Sequence, residues 1–286
     1  MYSKFKFLFR YINKLAQYPL HFTFSYFFIC LFGSLKSKIK YDIFRLPHYA
    51  FGIYEAAKRA LKEGQKKITV IEFGVANGRG LLAMAKYAEK VKSSMNIEVS
   101  VIGFDSGGGM PKHEGYLDHP ELYVQGDFPM QDPARLKKLL PDSARLIITD
   151  LNTEDWTQYI TKDAPVGFIS IDVDYYSSTI NLLNRLHSIE ADKLLSNSLF
   201  YLDDVCLDNH NPYQGELLAV TEFNEASALR KFDSYYARLR HRQKFCNEQW
   251  LEQMYQFHCL DHPQRNEAYR KADDEVRILG NKYLKR

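Results

Sequence analysis

The chain has 286 residues, 45% of them hydrophobic and 14% aromatic, which suits one large α/β domain with appendages and excludes wholesale disorder. Its formal net charge of +3 comes without a basic face interleaved with aromatics near any reactive motif, which argues against nucleic acid as a partner. Cys30, Cys206, Cys246 and Cys259 lack CxxC spacing, so no zinc or thioredoxin-like motif is indicated, and they read as reduced thiols of a cytoplasmic protein.

The chain opens on a basic, aromatic stretch. From Ala16 to Leu35, "AQYPLHFTFSYFFICLFGSL" carries no charge apart from His21 if protonated. Pro19, His21, Thr23 and Ser25 interrupt it, leaving fewer apolar positions than the ~20 a membrane span needs. No small-residue cleavage site follows, which counts against a signal peptide. Two readings stay open: an aromatic helical cap or homo-oligomer contact, or a peripheral membrane contact through residues 16–35 flanked by lysines. The domain plan expected is an N-terminal helical segment at 1–44, a main domain at 45–262 and a charged tail at 263–286.

Past Tyr49 the pattern changes. "HYAFGIYEAAKRALKEG" has helical apolar spacing stopped by Gly64, and "KKITVIEFG" is a short β-branched strand that ends at Glu72. "GRGLLAMAKYAEKVKSS" reads as a helix and "IEVSVIGFD" as a strand that ends at Asp105. A short helix at "DPARLKKLL" precedes a third strand, "ARLIITD", that ends at Asp150. "VGFISIDVD" is a fourth strand, ending in Asp172 and Asp174. A long helix, "STINLLNRLHSIEADKLL", leads to a fifth strand, "SLFYLDD", closed by Asp203 and Asp204. "EQMYQFHCLDHP" reads as a late strand, the antiparallel edge. Strands alternating with helices predict a doubly wound, Rossmann-like, mostly parallel sheet with helices on both faces. Ligands of such sheets bind beyond the carboxyl ends of the strands, where all five of these strands deliver acids.

The first turn, "EFGVANGRG", puts Gly74, Gly78 and Gly80 between a strand and a helix, so that backbone can approach a ligand closely. It lacks the Lys-Ser/Thr of a P-loop and departs from GxGxxG. Asp105 at the end of the next strand can accept hydrogen bonds from a ribose diol, which suggests an adenosine-containing cofactor, either a nicotinamide dinucleotide or S-adenosylmethionine.

Three motifs carry a family resemblance over about residues 68–225. "VIEFGVANGRG" looks like motif I of class I S-adenosylmethionine-dependent methyltransferases. "GFDSGGGMP", and "ISIDVDYYSST" followed by "LFYLDDV", resemble the second-strand turn and the D-x-D and D-D elements of the macrocin O-methyltransferase (TylF-like) family. The resemblance implies an O-methyltransferase acting on a small-molecule hydroxyl acceptor, a sugar or similar. It implies Glu72, Gly74, Asn77, Gly78, Gly80, Asp105, Ser106 and Asp150 as cofactor-binding residues. It also implies Asp172, Asp203 and Asp204 as ligands of Mg2+ or a similar hard divalent cation, and Asp174 as the catalytic base. Carboxylate oxygens suit such a cation, and period-two alternation would put Asp174 on the same side of its strand as Asp172. The chain departs from the family at Gly107, Gly108 and Gly109, which replace bulkier residues.

Other residues receive plainer expectations. Ser177, Ser178 and Thr179 are placed to cap the following helix, and Asp127 is a turn residue. Tyr175 and Tyr176 either line the acceptor pocket or pack. Glu216 and Glu222 belong to a solvated helix face, and His113, His119 and His210 are solvated loop histidines. Two other function classes remain beside the methyltransferase: a phosphatase-like hydrolase built on D-x-D, disfavoured because Tyr176 stands where that motif wants Thr or Val, and a binding protein without turnover.

Overall fold

The computed structural model describes residues 18–266; the predicted tail lies outside them apart from its first four residues. Helix α1 (Leu20–Phe32) and the short α2 (Leu35–Lys40) lead into α3 (Pro47–Lys62). Then follow β1 (Lys67–Phe73), α4 (Arg79–Met95), β2 (Glu98–Asp105), α5 (Pro133–Leu139), β3 (Ala144–Ile148), β4 (Val166–Ile171), α6 (Tyr176–Ser188) and β5 (Leu194–Leu202). The chain closes with α7 (Gly215–Ala226), β6 (Arg230–Ser234), α8 (Tyr236–Arg240) and β7 (Met254–Cys259).

The seven strands form one sheet in the order β3-β2-β1-β4-β5-β7-β6. The first five are parallel, and β7 runs antiparallel to both β5 and β6. All of β4 and all of β1 after Lys67 are buried, as strands covered on both faces must be. Helices α3 and α4 enclose one apolar cluster with Phe168, Leu199 and Tyr201. On the opposite face α6 and α7 close over Ile171, Phe200 and Phe257. This is the doubly wound, Rossmann-like architecture expected. The strand order reverses between β1 and β4, which fixes where a ligand crevice opens.

Several boundaries differ from the sequence reading. The long helix read through Leu195 ends at Ser188, and Leu194 already begins β5; the apolar Ile189, Leu194 and Leu195 fill the core from a turn and a strand. Only β2 ends on its acid. β3, β4 and β5 stop at Ile148, Ile171 and Leu202, so Asp150, Asp172 and Asp174 stand in loops just beyond, and Asp203 and Asp204 in a short 3-10 turn. The late strand is antiparallel, but it is not the edge. β6 lies outside it, hidden in the sequence because its Arg230 turns inward and pairs with Asp261 at 2.9 Å. Among the described residues no helix is long and apolar enough to cross a membrane.

Candidate active site

A cavity of about 480 Å³ opens at the switch point, within the range of small-molecule clefts. One side is made by the turn after β1. Gly74 has φ +82, and a Cβ there would sit 1.7 Å from the carbonyl oxygen of Asp172; without a side chain the two strand ends meet and the turn borders the cavity. Asp105 accepts hydrogen bonds from the backbone N–H of Val75 and Ala76 on Oδ2, both at 2.8 Å, and of Gly107 on Oδ1 at 2.6 Å. A carboxylate offers about four lone-pair directions; three of those of Asp105 lock the glycine turn, which leaves about one for a ligand. Ser106, Asp150 and Asn152 continue the wall. Asp150 accepts from Asn152 N at 2.9 Å, which closes a turn.

Gly74, Asp105, Ser106, Asp150 and the four aspartates Asp172, Asp174, Asp203 and Asp204 therefore line one cavity. Glu72, Asn77, Gly78 and Gly80 stand behind its lining. Glu72 is buried under the start of α4, where its Oε1 accepts from the Tyr49 hydroxyl at 2.7 Å. Burial raises its carboxyl pKa to about 8. A Cβ on Gly80 would lie 1.8 Å from that Oε1, so the glycine makes room for the buried pair. Asn77 Oδ1 accepts from Gln131 N at 3.0 Å and ties the turn before α4 to the loop between β2 and α5.

Opposite the glycine turn the acids converge. One carboxylate oxygen from each of Asp172, Asp203 and Asp204 lies within 4.8 Å of the others. Asp174 joins them by a route the alternation rule did not foresee. With β4 finished at Ile171, Asp174 adopts φ +60, and Tyr175 N bonds Val173 O across it at 2.6 Å. This tight turn, an unfavourable backbone for a non-glycine residue, brings Asp174 to Asp204 and Tyr123.

The electrostatics of this cluster are one-sided. Burial first, and then Asp203, Asp204 and Asp174, push the Asp172 carboxyl well above its ordinary range. Burial, with Asp174 and Asp203 next, raises Asp204 to about 9; Asp174 is raised as well, chiefly by burial. Among the described residues no lysine or arginine pairs with any of them, and Asp204 Oδ2 is buried without a hydrogen bond. A divalent cation on Asp172, Asp203 and Asp204 would relieve that repulsion, and an all-carboxylate donor set suits magnesium better than zinc. The residues present fit such an ion.

The sequence reading missed the groups behind the cluster. Glu216, expected on a solvated face, is fully buried and accepts from Asp204 N at 3.2 Å; burial and then Asp204 raise its pKa well above the usual range. Glu222 likewise takes the Tyr176 hydroxyl at 2.5 Å. His119 is buried with φ +51; the His210 ring lies tilted against it, centroids 5.1 Å apart, with its Nε2 at 3.8 Å from Asp204 Oδ1. Tyr123, never singled out, donates to Asp204 Oδ1 at 3.2 Å. The serines after Asp174 do not cap α6, whose N-cap Tyr175 makes no side-chain bond. Asp118 does this from a remote loop: it accepts from Ser177 N at 2.8 Å, from Ser177 Oγ at 2.9 Å and from Glu114 N at 2.7 Å. Spacing along the chain carries no trace of such partners. Asp127 does act in a turn, accepting from Val124 N at 3.0 Å, and it borders the cavity.

No protein-family profile and no curated protein matches the chain. Among solved structures it is similar to the calicheamicin methyltransferase CalS11, at 20% identity and a TM-score of 0.46, over 60% of this chain and 69% of that one. It is also similar to the O-methyltransferase TomG of Streptomyces achromogenes, in complex with SAM, at 10% identity and a TM-score of 0.39, covering 66% of this chain and 73% of that one. At these values the likeness is one of outline, so what the cavity does is read from its own residues.

Proposed function

We propose that the protein is an S-adenosylmethionine-dependent O-methyltransferase that uses a divalent metal and acts on a hydroxyl of a small-molecule acceptor, a sugar or similar polyol. The observation that carries this reading is the meeting, in one cavity, of the Gly74–Asp105 wall with the Asp172–Asp203–Asp204 cluster and Asp174. The first wall offers backbone and a carboxylate to an adenosine; the second offers a place for a cation and a base. A phosphatase-like role leaves the first wall without a task, and a purely binding role leaves the acid cluster without one.

In this reading Gly74, Ser106, Asp105 and Asp150 border the cofactor, which when bound supplies the methyl group. Asp172, Asp203 and Asp204 would hold the metal, which when bound would lower the pKa of the acceptor hydroxyl. Asp174 receives the hydroxyl proton on its carboxylate. The half-buried Tyr123 and the buried Glu216 fix Asp204, and orientation of the two reactants supplies much of the acceleration. Calorimetric titration of S-adenosylhomocysteine, with and without magnesium, tests the assignment. Micromolar affinity, weakened at least about tenfold in Asp105→Ala, supports it. Absence of binding in both conditions refutes it.

A further inference from the structure

Helix α1 is apolar on two faces. One packs on the domain: Tyr18, Phe22 and Tyr26 surround Phe245 with ring centroids 5.1, 5.2 and 6.0 Å away. The other points away from it. Leu20, Phe24, Phe27, Phe28, Leu31 and Phe32 are between 56% and 78% exposed, and their spacing gathers them on one side of the helix. Exposed apolar side chains scattered singly need no explanation, but six on one short helix mark a binding surface.

The charge around this helix says what it meets. Four cations precede it (Lys4, Lys6, Arg10, Lys14), three follow it (Lys36, Lys38, Lys40), and the first acid in the chain is Asp42. A second copy docked on this face would bring two such unbalanced segments together. An anionic surface would neutralise them. The helix has 13 residues, about 20 Å at 1.5 Å per residue, too short for a hydrocarbon core of about 30 Å. It therefore suits the interfacial plane of a bilayer.

We propose that α1 lies in the headgroup layer of an anionic lipid membrane, its six outward side chains at the acyl boundary and Lys36, Lys38 and Lys40 on lipid phosphates. This inference does not rest on the methyl-transfer reading. Its geometry also orients the molecule. Lys244 N, beside Phe245, bonds Lys40 O at 3.0 Å. Further along the same loop Gln249 donates to Cys206 O at 3.2 Å, and Gln253 donates to Asp203 O. The docked helix thus stands at the carboxyl edge of the sheet, where the cavity opens.

Flotation of the purified full chain with lipid vesicles tests this. The wild type is expected to float with phosphatidylcholine vesicles containing about a third phosphatidylglycerol, and roughly tenfold less with phosphatidylcholine alone or in about 0.5 M salt. Phe24→Ser/Phe28→Ser/Leu31→Ser, checked for an unchanged circular dichroism spectrum, is expected to lose flotation; Lys36→Glu/Lys40→Glu provides a second variant that leaves the apolar face intact and is expected to lose most of it. A wild type that stays at the bottom of the gradient with anionic vesicles overturns the proposal. So does a triple variant that floats like the wild type. A dimer that the triple variant dissociates, from a wild type that does not float, assigns the face to self-association instead.

Discussion

Asp174 occupies a backbone conformation that costs energy, and it does so beside Tyr123 and Asp204 rather than in open solvent. Strain of on the order of 1–3 kcal/mol persists where the surroundings enforce it, and here the Tyr175-to-Val173 bond and the cap on α6 do so. Asp174→Asn keeps the shape and removes the proton acceptor. With a methyl acceptor in hand, kcat is expected to fall by about 10²–10⁴ while S-adenosylhomocysteine still binds; an undiminished rate would remove the base from the proposal. A second expectation concerns pH in the metal-free protein. Asp204 is pushed up to about 9 and Glu216 well above its usual range, so the folded state holds protons that the unfolded state releases near pH 4. The stability tied to those protons is full below the unfolded value and is lost as pH climbs through the folded one. Unfolding temperature is expected to drop between about pH 4 and about pH 9, and saturating magnesium to offset the drop by binding the ionised cluster. A metal-free profile that stays flat would contradict the electrostatic account.

Elements, more than single residues, place the site. Helix α6 starts where the D-x-D loop ends, and Asp118 satisfies its first turn from a segment nearly sixty positions earlier, the separation being 59 for Ser177. Asp118→Ala is expected to lower stability by about 1–3 kcal/mol in urea unfolding, since buried donors lose their acceptor, and to lower kcat by loosening the loop that carries Asp174. Gly74→Ala forces a Cβ into the Asp172 carbonyl at 1.7 Å with φ at +82. It is expected to part the ends of β1 and β4 and to abolish S-adenosylhomocysteine binding; retained affinity would show that the close approach is dispensable. This scale also shows what the sequence could convey. Strand-and-helix alternation revealed the sheet, because both faces of β1 and β4 are buried and their residues read as apolar runs. Asp172, Asp203 and Asp204 were legible at the carboxyl edge because each follows a strand, and as a group only through the D-x-D and D-D resemblance. Asp118, Tyr123 and Glu216 were not, because their meaning lies in partners far along the chain. Glu216 was misread for a physical reason: a helix with acids at regular spacing looks solvated until a fold turns one of them into a cluster that holds it.

At the scale of the molecule, the sheet is finished from its far end. Strand β5, which delivers Asp203 and Asp204, is flanked by β4 on one side and on the other by β7, which the chain adds about fifty residues later, the Tyr201–Gln253 separation being 52. Until Met254–Cys259 is in place, β5 presents an open edge and Asp203 lacks the Gln253 that holds its carbonyl. Deletion of everything after residue 228 is expected to yield aggregating protein rather than a weak enzyme, as read by the sedimented fraction after expression. The antiparallel return of β7 would thus act as a timer during synthesis. A nascent chain emerging from the ribosome could already build the glycine turn and the strands around it, yet its acid cluster would be left on a bare flank. Competence would arrive late and all at once, only after Met254–Cys259 has been made.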